Sequence, residues 1–442
     1  MSSSTKSRRA ANRVPLEIEL RLGDFVTKGA TGADVNGRAV AIDRGIPGEL
    51  VRVSIDRRRR DWRGVVDTVV ESSHDRVVPS CPAYEAGCGG CQWQHMSYPT
   101  QVAAKQSLVD REMERAGAKI RVSETHAMDR PWRYRRTAAI ALGWEAGFRP
   151  RGRRGIVEIR DCPISHPLIG CLADELNNVL RAGRIPPYHG KVWLDCTVVG
   201  LSTEPALQIV IQGIEGLTLE SHPELPDVAA TLAGCGSVQS VSFRHRSGVV
   251  LPLIGELEKP IEVAGKPMWV PAGAFVQTNA VMLDRLIANM EPAIEARSPV
   301  HVADVYGGIG TFALSFADRV QHMTLIELDV SAVAAAQHTA CDRNLTNMSF
   351  VSQSAERALR GLAEVDLIIV DPPRSGLGSV VTAALGESGA RSIMYVSCSP
   401  SSLARDLAEL DTLGFKASSL HLFDFYPHTY HVECLTTLDR RT

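Results

Sequence analysis

Cysteines and carboxylates are the side chains here whose spacing suggests chemistry. Cys81, Cys88 and Cys91 fall in CPAYEAGCGGCQWQH, and Cys162 follows in RDCPIS. The frame C-x6-C-x2-C plus one distant thiolate suits tetrahedral zinc or an iron–sulfur cluster. A zinc ribbon brings two C-x2-C knuckles, and only one is present. The C-x3-C-x2-C frame of radical chemistry is missing.

A second group lies in the C-terminal half. HVADVYGGIGTFALSF reads as a strand carrying Asp304, a turn through Gly307, Gly308 and Gly310, and a helix opening at Thr311. Glycines there let the backbone approach a ligand closely, and Glu327, about twenty residues on, can accept both hydroxyls of a ribose. The GxGxxG spacing that cradles a pyrophosphate is not kept, and a later strand ends in Asp371-Pro372-Pro373-Arg374, for which a dehydrogenase has no use. S-adenosylmethionine (SAM), with ribose and adenine but no phosphate, is the expected ligand.

The methyl acceptor follows from what surrounds that turn. Enzymes that methylate an exocyclic base amine place an aromatic ring after Asp-Pro-Pro, and here the residue is Arg374. Cys398, in YVSCSP, stands at the carboxyl end of a strand, where open α/β sheets keep their active sites. A cysteine at that place is also compatible with a plain core residue. A pyrimidine C5 is too weak a nucleophile to take a methyl group unaided, so a thiolate must first add to C6, and Cys398 could supply it. A general base must then remove the C5 proton. Glu433, between apolar residues of YHVECLTTL, is the candidate, the alternative being a surface glutamate on an edge strand.

These groups need a scaffold. After about residue 271, short apolar strands (HVADVY, HMTLIEL, MSFVSQS, VDLIIVD, SIMYVSC) alternate with helical stretches, which predicts a Rossmann-like doubly wound α/β sheet of the class I SAM-dependent methyltransferase type over 271–442. KASSLHLFDFYP and HVECLTTLD have no helix between them and predict an antiparallel edge hairpin. Residues 15–73 alternate apolar and polar in short runs, which predicts a small β-barrel. Residues 74–270 read as a mixed α+β central domain that opens with a helix over about 97–118, expected to pack on the catalytic domain. Residues 1–14 read as a disordered basic tail.

The 442 residues are 44% hydrophobic and 22% charged, ordinary for two or three globular domains. No run of about eighteen apolar residues suggests a membrane span, and the polar N-terminus lacks a secretory core. A cytoplasmic protein is expected, with thiols kept reduced. The net charge of −2 conceals polarity: residues 1–160 hold 29 Lys and Arg against 19 Asp and Glu, the remainder 19 against 31. DRRRRDWRG, PWRYRR and FRPRGRR, all in the basic third, interleave arginine with aromatics as loop RNA requires. Any one such run could equally be a solvated face.

In order, FVQTN, DVYGGIG, DPPRSG, YVSCSPSSLARDL and HVECL resemble the motifs of the RNA uracil-5-methyltransferase family across almost the whole chain. CGGCQWQH is similar to the branch with an N-terminal TRAM domain and a [4Fe-4S] cluster, the 23S rRNA (uracil-C5) methyltransferases. The resemblance implies that 15–73 is an OB-like TRAM barrel that binds RNA, and that Cys81, Cys88, Cys91 and Cys162 hold a structural [4Fe-4S] cluster. It implies that Gln277, Tyr306, Glu327 and Asp371 contact SAM or the target uracil, alongside the turn residues Gly308, Gly310 and Thr311. Cys398 is then the nucleophile and Glu433 the base. The sequence departs from the family pattern at Gly307, where a cysteine is usual, at Thr311, where asparagine is common, and at Ser354, which aligns with Asn or Asp at an adenosine contact. The implied enzyme is a monomeric RNA (uracil-5-)-methyltransferase acting on rRNA, with a tRNA T-loop uridine and a non-catalytic RNA-binding protein as alternatives.

Overall fold

The computed structural model describes residues 15–58, 60–362 and 364–441; the expected basic tail lies outside them. Contacts divide the chain into two compact units. One runs to Leu108 and includes Tyr426–Tyr430, and the other holds Val109–Phe425 and His431 onward.

In the first unit the alternating runs become β1 (Leu16–Arg21), β2 (Thr31–Asp34), β3 (Ala39–Asp43), β4 (Leu50–Asp56) and β5 (Arg63–Glu71). They form one sheet in the order β1-β4-β5-β3-β2. Every second residue of β4, from Val51 through Val53 to Ile55, is fully buried, as a period of two demands when one face meets a core. The cysteine segment belongs to this unit. Cys81 precedes a single helical turn, Pro82–Glu85, and the Cys88 amide closes back on the Ala83 carbonyl at 2.9 Å. Trp93, wholly buried, packs on Phe25 and donates to the Gly29 carbonyl at 2.8 Å. Buried Tyr84 meets His95 Nδ1 at 2.7 Å, and burial pulls the His95 imidazole down to about 4, so it stays neutral.

The second unit opens with the later part of the helix Tyr98–Ala116, whose Val109 and Met113 join the core of the catalytic sheet. The strand β6 (Glu124–His126) comes next. A seven-stranded sheet, β13-β12-β11-β10-β7-β8-β9, is built from β7 (Thr137–Leu142), β8 (Ala146–Phe148), β9 (Val157–Glu158), β10 (Val192–Val199), β11 (Ala206–Gly213), β12 (Val238–Arg244) and β13 (Val250–Ile254). β9 has only two residues, and Cys162 lies in the turn beyond it. A hairpin, β14 (Glu258–Val263) and β15 (Lys266–Pro271), precedes the helix Ala280–Arg297.

The catalytic sheet contains β16 (His301–Val305), β17 (His322–Glu327), β18 (Met348–Ser352), β19 (Leu367–Val370), β20 (Ser392–Ser397), β21 (Phe415–Phe423) and β22 (Glu433–Arg440), with β6 added. The order is β18-β17-β16-β19-β20-β22-β21-β6. From β16 to β20 the strands are parallel with helices between, and β19 and β20 are buried along their whole length. β21 and β22 pair antiparallel, but not at the edge. β22 inserts between β20 and β21, and β6, from some three hundred residues earlier in the chain, covers β21. Glu433 therefore starts an interior strand.

Candidate active site

The glycine turn leaves β16 through an unusual backbone. Tyr306 has φ +64°, a left-handed conformation rarely taken by a non-glycine residue, and Gly308 and Gly310 follow at +54° and +85°. Hydrogen bonds hold this path: the Gly307 amide donates to the Ile326 carbonyl at 3.1 Å and the Gly310 amide to the Gly307 carbonyl at 2.8 Å. Glu327 accepts from the Gly308 amide at 3.0 Å with one oxygen and from the Leu328 and Asp329 amides at 2.6 and 2.8 Å with the other. Below the turn, fully buried Asp304 accepts from the Ala313 amide at 2.8 Å, and its second oxygen has no hydrogen-bond partner. Burial, with Asp371 and Glu327 nearby, pushes its carboxyl up to about 7.

A cleft of about 620 Å3, including its open mouth, sits over the turn and is lined by Phe275, Gln277, Tyr306, Gly307, Gly308, Ile309, Thr311, Phe312, Glu327, Asp329 and Asp371 among others. Space beside Gly308 is empty to 4 Å, whereas Gly310 lies against Leu314 under the turn and does not line the cleft. Ser354 begins the short helix Ala355–Leu359 and is likewise outside the lining. A glycine-rich floor with a fixed carboxylate fits an adenosine and its ribose.

Gln277 comes from the loop before the helix Ala280–Arg297. Asn279 fixes that loop: its Oδ1 caps the helix at the Met282 amide, 3.1 Å away, and its Nδ2 donates to the Phe425 carbonyl at 3.0 Å. Gln277 Nε2 reaches Asp371 Oδ2 at 3.3 Å, while its own buried Oε1 has no partner. Asp371 follows β19, and burial raises its carboxyl to about 7 against the opposing Gln277 hydrogen bond.

The sheet register brings Cys398 and Glu433, the expected nucleophile and base, together. Ser397 pairs with Cys434 across β20 and β22, so the antiparallel ladder carried one step further sets Cys398 beside Glu433. Glu433 is 2% exposed, and its Oε1 has no partner. Burial, then the charge of Asp371, lifts its carboxyl well above the usual range, against Arg374. The Cys398 thiol is pushed up to about 11 by burial, Glu433 and Asp371, while the Arg374 guanidinium, hydrogen-bonded to it, pulls the other way. Asp371 thus lines the cleft and also bears electrostatically on both Cys398 and Glu433.

The loop that carries Arg374 is held by the helix after Cys398, Pro400–Thr412. Ser402 Oγ donates to the Arg374 carbonyl at 3.1 Å, Arg405 to the Ser375 carbonyl at 2.7 Å, and buried Asp406 accepts from the Leu377 amide and Tyr395 hydroxyl, both at 2.7 Å. Arg374, Asn279 and Asp406 are site residues that sequence reasoning did not assign, although all three sit inside the quoted motifs. Phe275, 73% exposed at the cleft, is a fourth. Of the expected cluster ligands, Cys81 is buried and Cys88 and Cys91 half-buried in the first unit, and Cys162 is buried in the second.

Residues 255–441 match the family described as tRNA (Uracil-5-)-methyltransferase. The chain is 29% identical to an uncharacterized RNA methyltransferase of Thermotoga maritima over 91% of this chain and 94% of that one. It is 28% identical to the 23S rRNA (uracil(1939)-C(5))-methyltransferase RlmD of Vibrio cholerae over 92% of each. Its fold is similar to the Pyrococcus abyssi tRNA (uracil-54, C5)-methyltransferase in complex with S-adenosyl-L-homocysteine, with a TM-score of 0.73, 21% identity, and coverage of 95% of this chain and 100% of that chain. The glycine turn, DPPR, Cys398 and Glu433 all lie inside the matched segment, so the C-terminal part of the chain, residues 255–441, is similar to that family.

Proposed function

We propose that this protein methylates C5 of a uridine in 23S rRNA, with SAM as methyl donor. The observation that carries the reading is the position of Asp371, shared between the cleft and the Cys398–Glu433 pair. SAM bound over the turn, with its ribose on Glu327, would supply an electrophilic methyl group. The uridine must leave its stack to reach these side chains. Cys398 Sγ, its proton passed to water, bonds to C6 of the uracil, which makes C5 electron-rich. Arg374 opposes the cost of holding that thiolate in a buried place. After C5 is methylated, Glu433 takes the C5 proton and the Sγ–C6 bond breaks, restoring the aromatic ring and the enzyme. A carboxylate whose proton affinity is raised by burial and by Asp371 is a stronger base for that step.

RNA containing 5-fluorouridine tests this chemistry, because fluorine at C5 cannot leave as a cation and the adduct is trapped. The protein is expected to form a covalent complex that survives denaturation, and Cys398→Ala to form none and to lose at least about a thousandfold in turnover, some 4 kcal/mol of barrier. An undiminished adduct in Cys398→Ala would sink the mechanism. The 23S rRNA substrate is supported by the likeness to the Vibrio cholerae enzyme. Sequencing m5U sites in a strain lacking this protein should show one missing from 23S rRNA; loss from tRNA instead would overturn that substrate.

The same reading assigns 15–73 as an OB-like TRAM barrel on the RNA, 74–270 as the central domain and 271–442 as the catalytic domain of a cytoplasmic monomer. It assigns Cys81, Cys88, Cys91 and Cys162 as ligands of a [4Fe-4S] cluster. The donor set, four soft thiols, fits such a cluster, and the Gly90 amide already points at Cys88 Sγ at 3.5 Å, an N–H···S contact that favours a thiolate. Methyl transfer to uracil is redox-neutral, so the cluster would supply structural support. Anaerobically purified protein is expected to show broad visible absorbance that Cys88→Ser removes.

A further inference from the structure

We propose that Glu124, His126 and His421 form a binding site for a divalent cation of the zinc class, which clips β6 onto the edge of the catalytic sheet. The three side chains converge from two neighbouring parallel strands, β6 and β21, where His421 pairs with Glu124 and Phe423 with His126. His126 Nε2 lies 3.4 Å from His421 Nδ1 and 3.7 Å from one Glu124 oxygen, and His421 Nδ1 lies 3.6 Å from the other.

These separations are poor hydrogen bonds and good coordination edges. A ring N–H bond to nitrogen or oxygen is best near 2.9–3.0 Å and is lost by about 3.6 Å. Tetrahedral zinc with bonds of about 2.0–2.1 Å places its ligand atoms ~3.3–3.4 Å apart. The edge between the two imidazoles fits directly, and with a single Glu124 oxygen the three donor atoms lie within 4.8 Å of one another, a gap that rotation of the exposed carboxylate narrows to the size of an ion. Two imidazoles and one carboxylate are ligands that Zn2+ accepts, and exposed Glu124 leaves the fourth position to water.

The surroundings hold the ligands in place. Phe423 stacks on the His126 ring with centroids 4.2 Å apart and planes 14° apart, while the Asp424 amide donates to the His126 carbonyl at 2.9 Å. The neighbouring cation, Arg285, is turned to the Ala127 carbonyl at 2.5 Å and pairs with Asp129 at 3.6 Å, which offsets its repulsion of a bound ion. A clip here matters because β6 has only three residues, and because Phe423, the stacking partner of His126, is the cross-strand neighbour of Glu433.

Zn2+ added to the full-length protein tests the site. Zinc retained after gel filtration, measured with a chromogenic chelator, should be one equivalent greater in the unaltered protein than in His421→Gln or Glu124→Gln. Counting a difference removes whatever the cysteines bind. The unaltered protein should melt several degrees higher with Zn2+, reversibly by EDTA, and the variants should not respond. A Co2+ titration should show tetrahedral d–d bands without thiolate charge transfer that both variants lose. Equal zinc in all three proteins, or no melting response in the unaltered one, overturns the proposal. Glu124 is exposed, so its substitution keeps the test valid should His421→Gln fail to fold.

Discussion

At the scale of single residues, burial and the neighbouring carboxylates keep the Cys398 thiol protonated at rest. A Cys398 thiol raised to about 11 is ionised to roughly one part in a thousand at pH 8, so alkylation of this cysteine should be slow there and rise about tenfold per pH unit. Because the charge of Glu433 helps raise that thiol, Glu433→Gln should move the inflection to lower pH, and Arg374→Ala should move it up. Mass spectrometry of the Cys398 peptide after timed iodoacetamide exposure measures both, and an inflection unmoved in Glu433→Gln would separate the two side chains. Glu433→Gln should also accumulate a covalent, methylated complex with natural RNA, since methyl transfer would proceed and elimination would stall. The expectation for Cys398 and Glu433 rested on a thiol at a strand end and a carboxylate among apolar residues, and the structure sets the two side by side with Glu433 buried. The sequence did not carry Arg374 as a partner of the thiol. DPPR was read for the aromatic ring it lacks, and the hydrogen bond to Cys398 depends on a loop shaped by Ser402, Arg405 and Asp406 from the next helix.

Among the elements, the glycine turn separates two kinds of effect that its residues look alike in sequence. Gly310 combines φ +85° with a place where a Cβ would sit 2.8 Å from Leu314, so Gly310→Ala should destabilise the protein by the left-handed penalty of about 1–2 kcal/mol plus a clash. Gly308 has φ +54° but open space around it, space that the cleft needs for its ligand. Gly308→Ala should therefore lose less stability to the clash term yet weaken S-adenosyl-L-homocysteine binding more, as denaturant melts and calorimetry would show. Identical profiles for the two would refute the division. The alternation of strand and helix made β16 to β20 legible from residue patterns alone. What the patterns could not reveal is that β6 closes the sheet and moves β22 inside, because three residues have no period and their partner lies some three hundred positions away. That displacement is what buries Glu433, which the edge hairpin expected from the sequence would have left half in water.

For the molecule as a whole, the basic third sorts into arginines that build the fold and arginines that face solvent. PWRYRR belongs largely to the first kind: Tyr134 and most of Arg136 are buried, and Arg133 is bidentate with Asp161 at 2.5 and 2.6 Å. FRPRGRR differs, with Arg153 and Arg154 exposed and Trp144, 74% exposed, two residues before β8, the strand that leads into that loop. Composition could not make this distinction, since both runs read alike as arginine and aromatic. If the loop meets RNA, each phosphate contact adds about 0.7–0.9 to the slope of log K against log salt, and a stacked aromatic adds ~1–3 kcal/mol with little salt dependence. Arg153→Ala with Arg154→Ala should then flatten the slope by about 1.5 while leaving turnover at saturating RNA unchanged. Trp144→Ala should weaken binding by ten- to a hundredfold at every salt concentration with the slope kept. Arg133→Ala is the counterpart, expected to lower the melting temperature through Asp161 and to leave the slope alone. Fluorescence anisotropy of an rRNA fragment across a salt series reads all three, and a slope altered by Arg133→Ala but not by the Arg153 and Arg154 pair would place the RNA on the other run.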